Sequence, residues 1–264
     1  MFKEPFHIEP CPTPLVEEIF STKFVPLPDG KRKELDVYIP REEGDYLYSL
    51  IRHYRPTTTV EVGMANGIST LFIASALRNN GEGSHIAIDP FQHSDWHGAG
   101  IELIRQAGLA DRVRLIEKPS HVALPELERE GLRAGVVFID GAHLLDYAMA
   151  DFLCSDRLLE VGGLLAFDDS DWPAVGPVIR YALANRHYRV AHPEVVVERS
   201  RYRPGIASRL LRGIGRWMPK LGDRLRADFL YPDHELGTEG RCVVLVKLAD
   251  DDRNSQDRRA HKSF

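Results

Sequence analysis

The segment VEVGMANGIST, residues 60–70, joins a short apolar run to a helical pattern through two glycines. Gly63 and Gly67 have no Cβ, so a ligand can approach the backbone closely at this turn. The N-terminus of the following helix directs free N–H groups and the positive end of the helix dipole outward. The segment is therefore typical of the first strand–turn–helix unit of a parallel sheet that binds a ligand beyond the carboxyl ends of its strands.

The same alternation of strand and helix patterns continues on the C-terminal side. Five short, mostly apolar segments are predicted strands: TTVEV, SHIAID, RVRLIE, GVVFID and GGLLAFDD. Helical patterns lie between them, and the longest predicted helix covers residues 144–161. Two later runs, HYRVAHPEVVVE and GRCVVLVKL, predict two more strands. Because apolar runs without polar alternation suit strands covered on both faces, we expect a doubly wound α/β fold with a mostly parallel, Rossmann-like seven-stranded sheet.

Composition changes divide the chain. Residues 1–41 are proline-rich and are predicted to form an irregular N-terminal extension, with one short helix, that acts as a lid. Residues 42–248 are predicted to be the main domain, interrupted by an insertion at 199–238. Residues 249–264 are polar and are expected to be a disordered tail.

Bulk composition limits the class of protein. The chain has 264 residues, 43% of them hydrophobic, which is enough for one sizeable core. Its net charge of −5 disfavours nucleic acid as a partner, and three scattered cysteines favour a reducing compartment without a zinc site. We expect neither a signal peptide nor a membrane span, and we predict a cytoplasmic protein.

An acid follows the second predicted strand. Asp89 stands where a carboxylate can accept two hydrogen bonds from a ribose diol. Ser69 can cap the helix after the glycine turn or contact the ligand. Turn and acid together predict a cofactor that contains adenosine, although a glycine turn can also serve only to reverse the chain. The pattern from Glu61 to Gly67 is E-x-G-x-x-x-G, which lacks the paired glycines of the dinucleotide fingerprint.

Three aspartates end two other strands. Asp140 ends GVVFID, and Asp168 and Asp169 end GGLLAFDD. Neighbouring parallel strands would bring these carboxylates to one rim, where they would repel each other without a cation. Oxygen ligands of this kind suit Mg²⁺. The alternative is that the aspartates cap the helices that follow them.

These motifs resemble those of a known enzyme family. The pattern at residues 61–67 is similar to the first motif of the class I S-adenosylmethionine-dependent methyltransferases. FIDGAH and AFDDSDW resemble the metal motifs of the cation-dependent O-methyltransferases of the catechol and caffeoyl-CoA type, except that Asp169 replaces an asparagine. An all-aspartate trio is found in the macrocin O-methyltransferase type.

The resemblance implies a set of site residues. The glycine turn would wrap the methionine part of the cofactor, Asp89 would hold its ribose and Ser120 would face its adenine. The implied cofactor contacts are Glu61, Gly63, Gly67, Ser69, Asp89, Ser120 and Asp140, and the implied metal ligands are Asp140, Asp168 and Asp169.

His143 lies three residues after Asp140, where the catechol type has its catalytic lysine. Histidine titrates near neutral pH, so His143 could accept the proton of a hydroxyl group. The alternative is a histidine that only forms local hydrogen bonds at the start of a helix.

The insertion is strongly basic. Between residues 199 and 226 there are nine basic residues and one acidic residue, with apolar side chains at helical spacing. The preferred interpretation is a helix that packs on its own domain or across a homo-oligomer. There are two alternatives. The segment could contact an anionic membrane surface, or it could form a lid over an anionic or lipid-linked substrate.

The sequence as a whole predicts an S-adenosylmethionine- and Mg²⁺-dependent O-methyltransferase. Its substrate would be a hydroxyl of a small molecule such as a sugar, a phenol or a natural product. An NAD-dependent dehydrogenase is the first alternative, but it does not account for the carboxylates on the later strands. A non-catalytic binding protein with the same fold is the second.

Overall fold

The computed structural model describes residues 6–198 and 233–253. The strands are β1 (Phe24–Pro26), β2 (Arg32–Glu34), β3 (Thr58–Val62), β4 (Ser84–Ile88), β5 (Val113–Ile116), β6 (Ala134–Ile139), β7 (Leu159–Phe167), β8 (Tyr188–Val190) and β9 (Val243–Lys247). The helices are α1 (Pro14–Thr22), α2 (Arg41–Tyr54), α3 (Ile68–Asn80), α4 (Ala99–Gln106), α5 (Ser120–Arg129), α6 (Leu145–Leu158), α7 (Gly176–Asn185) and α8 (Asp233–Leu236).

Seven strands form one sheet in the order β5-β4-β3-β6-β7-β9-β8. The pairs from β5 to β7 are parallel, whereas β9 runs antiparallel to both of its neighbours. The chain moves outward from β3 to β4 and β5, and then returns to the other side of β3 with β6. A crevice for a ligand forms where the strand order reverses in this way. The predicted mostly parallel seven-stranded sheet is confirmed.

Both faces of the sheet are buried, which explains the continuous apolar runs in the sequence. Along β6, Phe138 packs into the core layer that contains Phe72 of α3. Its neighbours Val137 and Ile139 point into the opposite layer, which contains Phe152 of α6. Each strand therefore joins two apolar layers, and the sheet holds the strand ends at fixed positions.

Two predicted elements differ from the structure. The helix predicted for residues 144–161 ends at Leu158, because Leu159 already belongs to β7 and pairs with Ala134. The run predicted as one strand over residues 187–198 contains only the short β8 and a single bridge between Val197 and Cys242. Pro193 interrupts that run, since proline has no N–H to donate to a strand partner.

The N-terminal extension is more regular than predicted. Besides the expected helix, α1, it contains the hairpin of β1 and β2. The N–H groups of Glu9 and Cys11 donate to Ser49 Oγ and Asp45 Oδ1 of α2, at 2.9 and 2.8 Å. The extension is therefore attached to the main domain through hydrogen bonds as well as through its apolar contacts.

Part of the predicted organisation lies outside the described residues. This applies to residues 199–232, which include the basic segment 199–226, and to residues 254–264 of the predicted tail. Among the helices of residues 6–198 and 233–253, none is both long enough and apolar enough to cross a membrane.

We predict that Gly63→Ala destabilises the fold more than Gly81→Ala. Both glycines have positive φ values, 92° and 83°, so each alanine costs roughly 1–2 kcal/mol through its backbone conformation. A Cβ on Gly63 would also overlap the carbonyl oxygen of Asp140, whereas a Cβ on Gly81 would have no neighbour within 4 Å. The overlap adds about 1–3 kcal/mol. Urea denaturation of both variants measures the difference, and equal losses of unfolding free energy would contradict the prediction.

Candidate active site

A cavity of about 290 Å³ lies at the carboxyl ends of the central strands. Residues 36–39 of the N-terminal extension form one wall, and the glycine turn with the start of α3 forms a second. The third wall carries most of the polar side chains: Asp140, His143, Asp168, Asp169, Trp172 and Arg241. Another cavity, of about 300 Å³, lies beside β5 and contains none of the residues predicted to act at a site.

The glycine turn has an unusual backbone. Gly63, Ala65 and Gly67 all have positive φ values, of 92°, 46° and 80°. The N–H of Gly63 donates to Ile88 O at 2.9 Å, and the N–H of Gly67 donates to Met64 O at 2.7 Å. These left-handed residues turn the chain sharply from β3 into α3, so that the N-terminus of α3 faces the cavity.

Asp89 holds this turn. Its Oδ2 accepts the N–H groups of Met64 and Ala65 at 3.2 and 2.8 Å, and its Oδ1 accepts that of Phe91 at 2.8 Å. The residue is only 3% exposed. The ribose contact implied for Asp89 stays a prediction. The structure adds a structural role, because the carboxylate already fixes the backbone of the turn.

Glu61 lies beneath the turn and not on the cavity wall. It is fully buried, and its Oε2 accepts the hydroxyl of Thr70 at 2.5 Å. The same oxygen lies 3.2 Å from Nε2 of the buried His85. The cofactor contact implied for Glu61 stays a prediction. The structure adds a supporting role, since Glu61 connects β3 with α3 and β4 from inside the core.

The two predicted serines differ in position. Ser69 lines the cavity from the first turn of α3. Ser120 begins α5 and is not among the residues that line the cavity. Burial raises the pKa of the neighbouring Asp151 to about 6, against the hydrogen bond from Ser120 and the charge of His121. The adenine contact implied for Ser120 stays a prediction.

The strand-end aspartates come together as predicted, and a fourth carboxylate joins them. Glu43 of α2 is fully buried, and burial followed by the charge of Asp168 raises its pKa well above the usual value. The same two causes, in the same order, raise the pKa of Asp140, and they raise that of Asp169 to about 6. When four carboxyl groups lie close together, the negative charge of one makes ionisation of the others less favourable.

Arg241 lies within this carboxylate cluster, which we define as Glu43, Asp140, Asp168 and Asp169. Its Nε and Nη2 lie 2.8 and 3.0 Å from the two oxygens of Asp168, and its Nη2 lies 3.1 Å from Asp169 Oδ1. Burial lowers the pKa of Arg241, but the hydrogen bonds and charge of Asp168 raise it overall. Sequence reasoning missed this residue and Glu43. One signal could have found Arg241. If the last strand is paired antiparallel with the strand that ends in AFDD, the start of the last strand lies beside the aspartates, and Arg241 stands just before that start.

His143 lies at the cavity edge of the cluster. Its Nε2 is 3.3 Å from Asp169 Oδ2 and 3.8 Å from Asp140 Oδ1. Its ring lies 4.9 Å from the ring of Trp172, centroid to centroid. The structure therefore places His143 beside two of the predicted carboxylates and against an aromatic side chain that is 48% exposed.

Asn66 connects the glycine turn to the N-terminal extension. Its Nδ2 donates to Val37 O at 2.8 Å and to Asp36 Oδ1 at 3.1 Å. Lys33 of β2 donates to Asn66 Oδ1 at 3.2 Å, and its ammonium lies 4.9 Å from the ring centroid of Trp96. The extension is thus fastened to the turn at the point where both line the cavity.

Comparison with known proteins agrees with the resemblance found in the sequence. Residues 60–170 match the family described as a methyltransferase domain. This part of the chain is therefore similar to a methyltransferase domain. The match spans the glycine turn, Asp89, Asp140, His143 and the Asp168–Asp169 pair, and it confirms the resemblance to the class I methyltransferases.

Curated relatives of this chain include two plant proteins. It is similar to caffeoyl-CoA O-methyltransferase 1 of Eucalyptus globulus, with 28% identity over 158 residues, which are 56% of this chain and 60% of that protein. It is also similar to flavonoid 3',5'-methyltransferase of Vitis vinifera, with 27% identity over 143 residues, 51% of this chain and 56% of that protein. The chain spans less than two thirds of the length of these relatives.

A solved structure supports the fold. An O-methyltransferase from Bacillus cereus, in complex with SAH, aligns with a TM-score of 0.53 and 20% identity. The alignment covers 67% of this chain and 82% of that one. At this identity the likeness concerns the fold, which is the class I methyltransferase fold expected from the sequence.

The predicted Mg²⁺ site does not fit the arrangement of the cluster. Arg241 binds both oxygens of Asp168 and one oxygen of Asp169, which are two of the three predicted metal ligands. Within residues 6–198 and 233–253, no three acidic, histidine or cysteine side chains form a group that could hold a metal ion. The three carboxylates lie close together as predicted. However, both oxygens of Asp168 and one of Asp169 are bound to a guanidinium and are not free to coordinate a metal ion.

We predict that Asp89→Ala lowers the free energy of unfolding by about 1–3 kcal/mol, because buried N–H groups of the turn lose their acceptor. Asp95→Ala is the matched control, since Asp95 is an exposed acid in the loop that follows. Urea denaturation of the two variants makes the comparison. Unchanged stability of Asp89→Ala would show that this carboxylate does not hold the turn.

Proposed function

We propose that this chain is an S-adenosylmethionine-dependent O-methyltransferase that acts on a hydroxyl of a small molecule. The observation that carries the proposal is the single cavity shared by the glycine turn, His143 and the strand-end carboxylates. The match to a methyltransferase domain and the names of the relatives agree with it. Neither a dehydrogenase nor a non-catalytic binding protein gains support from these comparisons.

The residues around the turn fit the proposed cofactor. Gly63 and Gly67 leave the backbone bare, and the N-terminus of α3 presents N–H groups to the cavity. Ser69 adds a hydroxyl on the same wall. When bound, the cofactor supplies a reactive methyl sulfonium, so the protein has only to align the acceptor oxygen and exclude water.

His143 is the proposed base. With Nε2 facing Asp169, a proton on that nitrogen is shared with the carboxylate, and Nδ1 is left to accept the proton of the acceptor hydroxyl. Trp172 fixes the ring from one side. In this arrangement Asp169 orients the imidazole. A hydrogen bond at one ring nitrogen determines which nitrogen carries the proton and which one is free to accept another.

The side chains that would surround the methyl acceptor, which we call the acceptor wall, favour a phenol over a sugar or another natural product. Val37, Tyr38 and Ile39 line the cavity from the N-terminal extension, and Trp172 lies on the other side. Aromatic and aliphatic side chains suit a flat, mostly apolar molecule, and the polar side chains of the third wall would orient it. The two plant relatives are named for caffeoyl-CoA and flavonoid substrates. These observations support residues 1–41 as the lid over the acceptor.

Several expectations from the sequence stay predictions. They are the boundaries of the main domain, a cytoplasmic location, a homo-oligomer and membrane contact through residues 199–226.

We expect calorimetric titration of the full chain to show S-adenosylmethionine binding in the micromolar range and no binding of NAD. The reason is that the turn lacks the paired glycines that fit a pyrophosphate. Binding of NAD in place of S-adenosylmethionine would overturn the proposal in favour of the dehydrogenase.

We expect His143→Ala to lower methyl transfer about 10²- to 10⁴-fold, the usual contribution of a general base. Affinity for S-adenosylmethionine should stay within about twofold. The measurement is release of S-adenosylhomocysteine with a panel of phenolic acceptors. His93→Ala is the control, because His93 is exposed and pairs only with Glu117 in the described part of the chain. Full turnover by His143→Ala would refute the assignment of the base.

A further inference from the structure

We propose that the guanidinium of Arg241 is the resident cation of the carboxylate cluster, so that this enzyme transfers methyl groups without a divalent ion. The methyl-transfer part of this inference rests on the proposed function, whereas the part that concerns cation binding does not. It departs from the Mg²⁺ site expected from the sequence.

The first argument is the geometry of the Arg241–Asp168 pair. Nε lies 2.8 Å from Oδ1 and Nη2 lies 3.0 Å from Oδ2, so the two groups form a bidentate ion pair. Pairs of this kind are among the strongest hydrogen-bonded contacts between side chains. Asp168 is only 2% exposed, and its Oδ1 also accepts the N–H of Asp169 at 2.6 Å. Neither oxygen of Asp168 is open to a cation.

The second argument is the state of Asp169. Its Oδ1 lies 3.1 Å from Nη2 of Arg241, and its Oδ2 lies 3.3 Å from Nε2 of His143. Three of the four oxygens of the Asp168–Asp169 pair therefore face the guanidinium, and the fourth faces the proposed base. A divalent ion would have to displace Arg241 before it could bind this pair.

The third argument is the buried acid behind the pair. Glu43 is fully buried, and both of its oxygens lack a hydrogen-bond partner among the described residues. Its Oε2 lies 3.4 Å from Nε of Arg241. The guanidinium therefore lies against Glu43 as well as against the Asp168–Asp169 pair, and its removal would leave the ionised members of the cluster without the cation that faces them.

The main chain fixes Arg241 in this place. Its N–H donates to Val197 O at 2.8 Å, and its carbonyl accepts the N–H of Ser170 at 2.8 Å. Cys242, the next residue, forms the bridge to Val197. The backbone on which Arg241 stands is thus bonded on both sides, and its side chain reaches the cavity with 30% of its surface exposed.

The chemical consequence follows from the nature of the ion. A guanidinium stays protonated and orients oxygen atoms through hydrogen bonds, but it does not acidify a bound hydroxyl as a metal ion does. Nη1 of Arg241 makes no hydrogen bond to another described residue, so it can hold the acceptor oxygen. The acceptor then needs one hydroxyl and not the vicinal pair that would chelate a metal.

The test is Mn²⁺ binding to the full chain, followed by electron paramagnetic resonance of free Mn²⁺. We expect wild type, Arg241→Lys and the control Arg114→Ala to bind no Mn²⁺ below the millimolar range. Arg114 is the control because it lies on β5, away from the cluster. Arg241→Ala should gain one site with at least about tenfold higher affinity, and Asp168→Ala in that background should remove it.

Two results would overturn the inference. One is tight binding of a single Mn²⁺ by wild type that is lost in Asp168→Ala. The other is a folded Arg241→Ala, checked by circular dichroism, that gains no site. If Arg241→Ala does not fold, the wild-type titration decides alone: tight binding lost in Asp168→Ala refutes the inference, and its absence supports it.

Turnover gives a separate result. We expect release of S-adenosylhomocysteine to be unchanged in excess EDTA, and a loss of about tenfold or more that Mg²⁺ restores would also overturn the inference. Absence of turnover both with and without EDTA would instead count against the proposed function, and the Mn²⁺ measurement would still decide the role of Arg241.

Discussion

The site depends on the contact between the ends of β3 and β6. Gly63 has no side chain, so the carbonyl of Asp140 lies against its backbone, and the N–H of Asp140 donates to Val62 O at 2.9 Å. This contact fixes the start of the glycine turn on one strand and the first carboxylate of the cluster on the other. Any larger residue at position 63 would separate the cofactor wall from the wall that carries the proposed chemistry.

Charge balance is the second constraint. The cluster brings four carboxylates into a region where at least two of them, Glu43 and Asp168, are almost fully buried. Burial, followed by the charge of Asp168, raises the pKa values of Glu43, Asp140 and Asp169, and the guanidinium of Arg241 lowers those of Glu43 and Asp169. The sheet, α2 and the segment before β9 supply its members, and titratable groups with raised pKa values that share one cavity are typical of functional sites.

The sequence was sufficient for the parts of the site that follow from local pattern. Strand ends, the glycine turn, and the meeting of Asp140 with Asp168 and Asp169 were predictable, because parallel strands end at one edge of a sheet. Glu43 and Arg241 were not identified, since each comes from a segment far away in the chain and reads locally as an ordinary surface charge. The predicted end of the helix after Leu158 was wrong for a related reason. Leu159 pairs with Ala134, which is distant in the chain, and the helical spacing of nearby residues gives no sign of that contact.

The link through Asn66 has a consequence for the order of events at the site. One side chain joins the backbone that would surround the cofactor to residues 36 and 37, which lead into the acceptor wall. The positions of these two cavity walls are therefore coupled through a single amide group. Movement of residues 36 and 37 away from the turn therefore requires that the Asn66 amide first give up both of these acceptors.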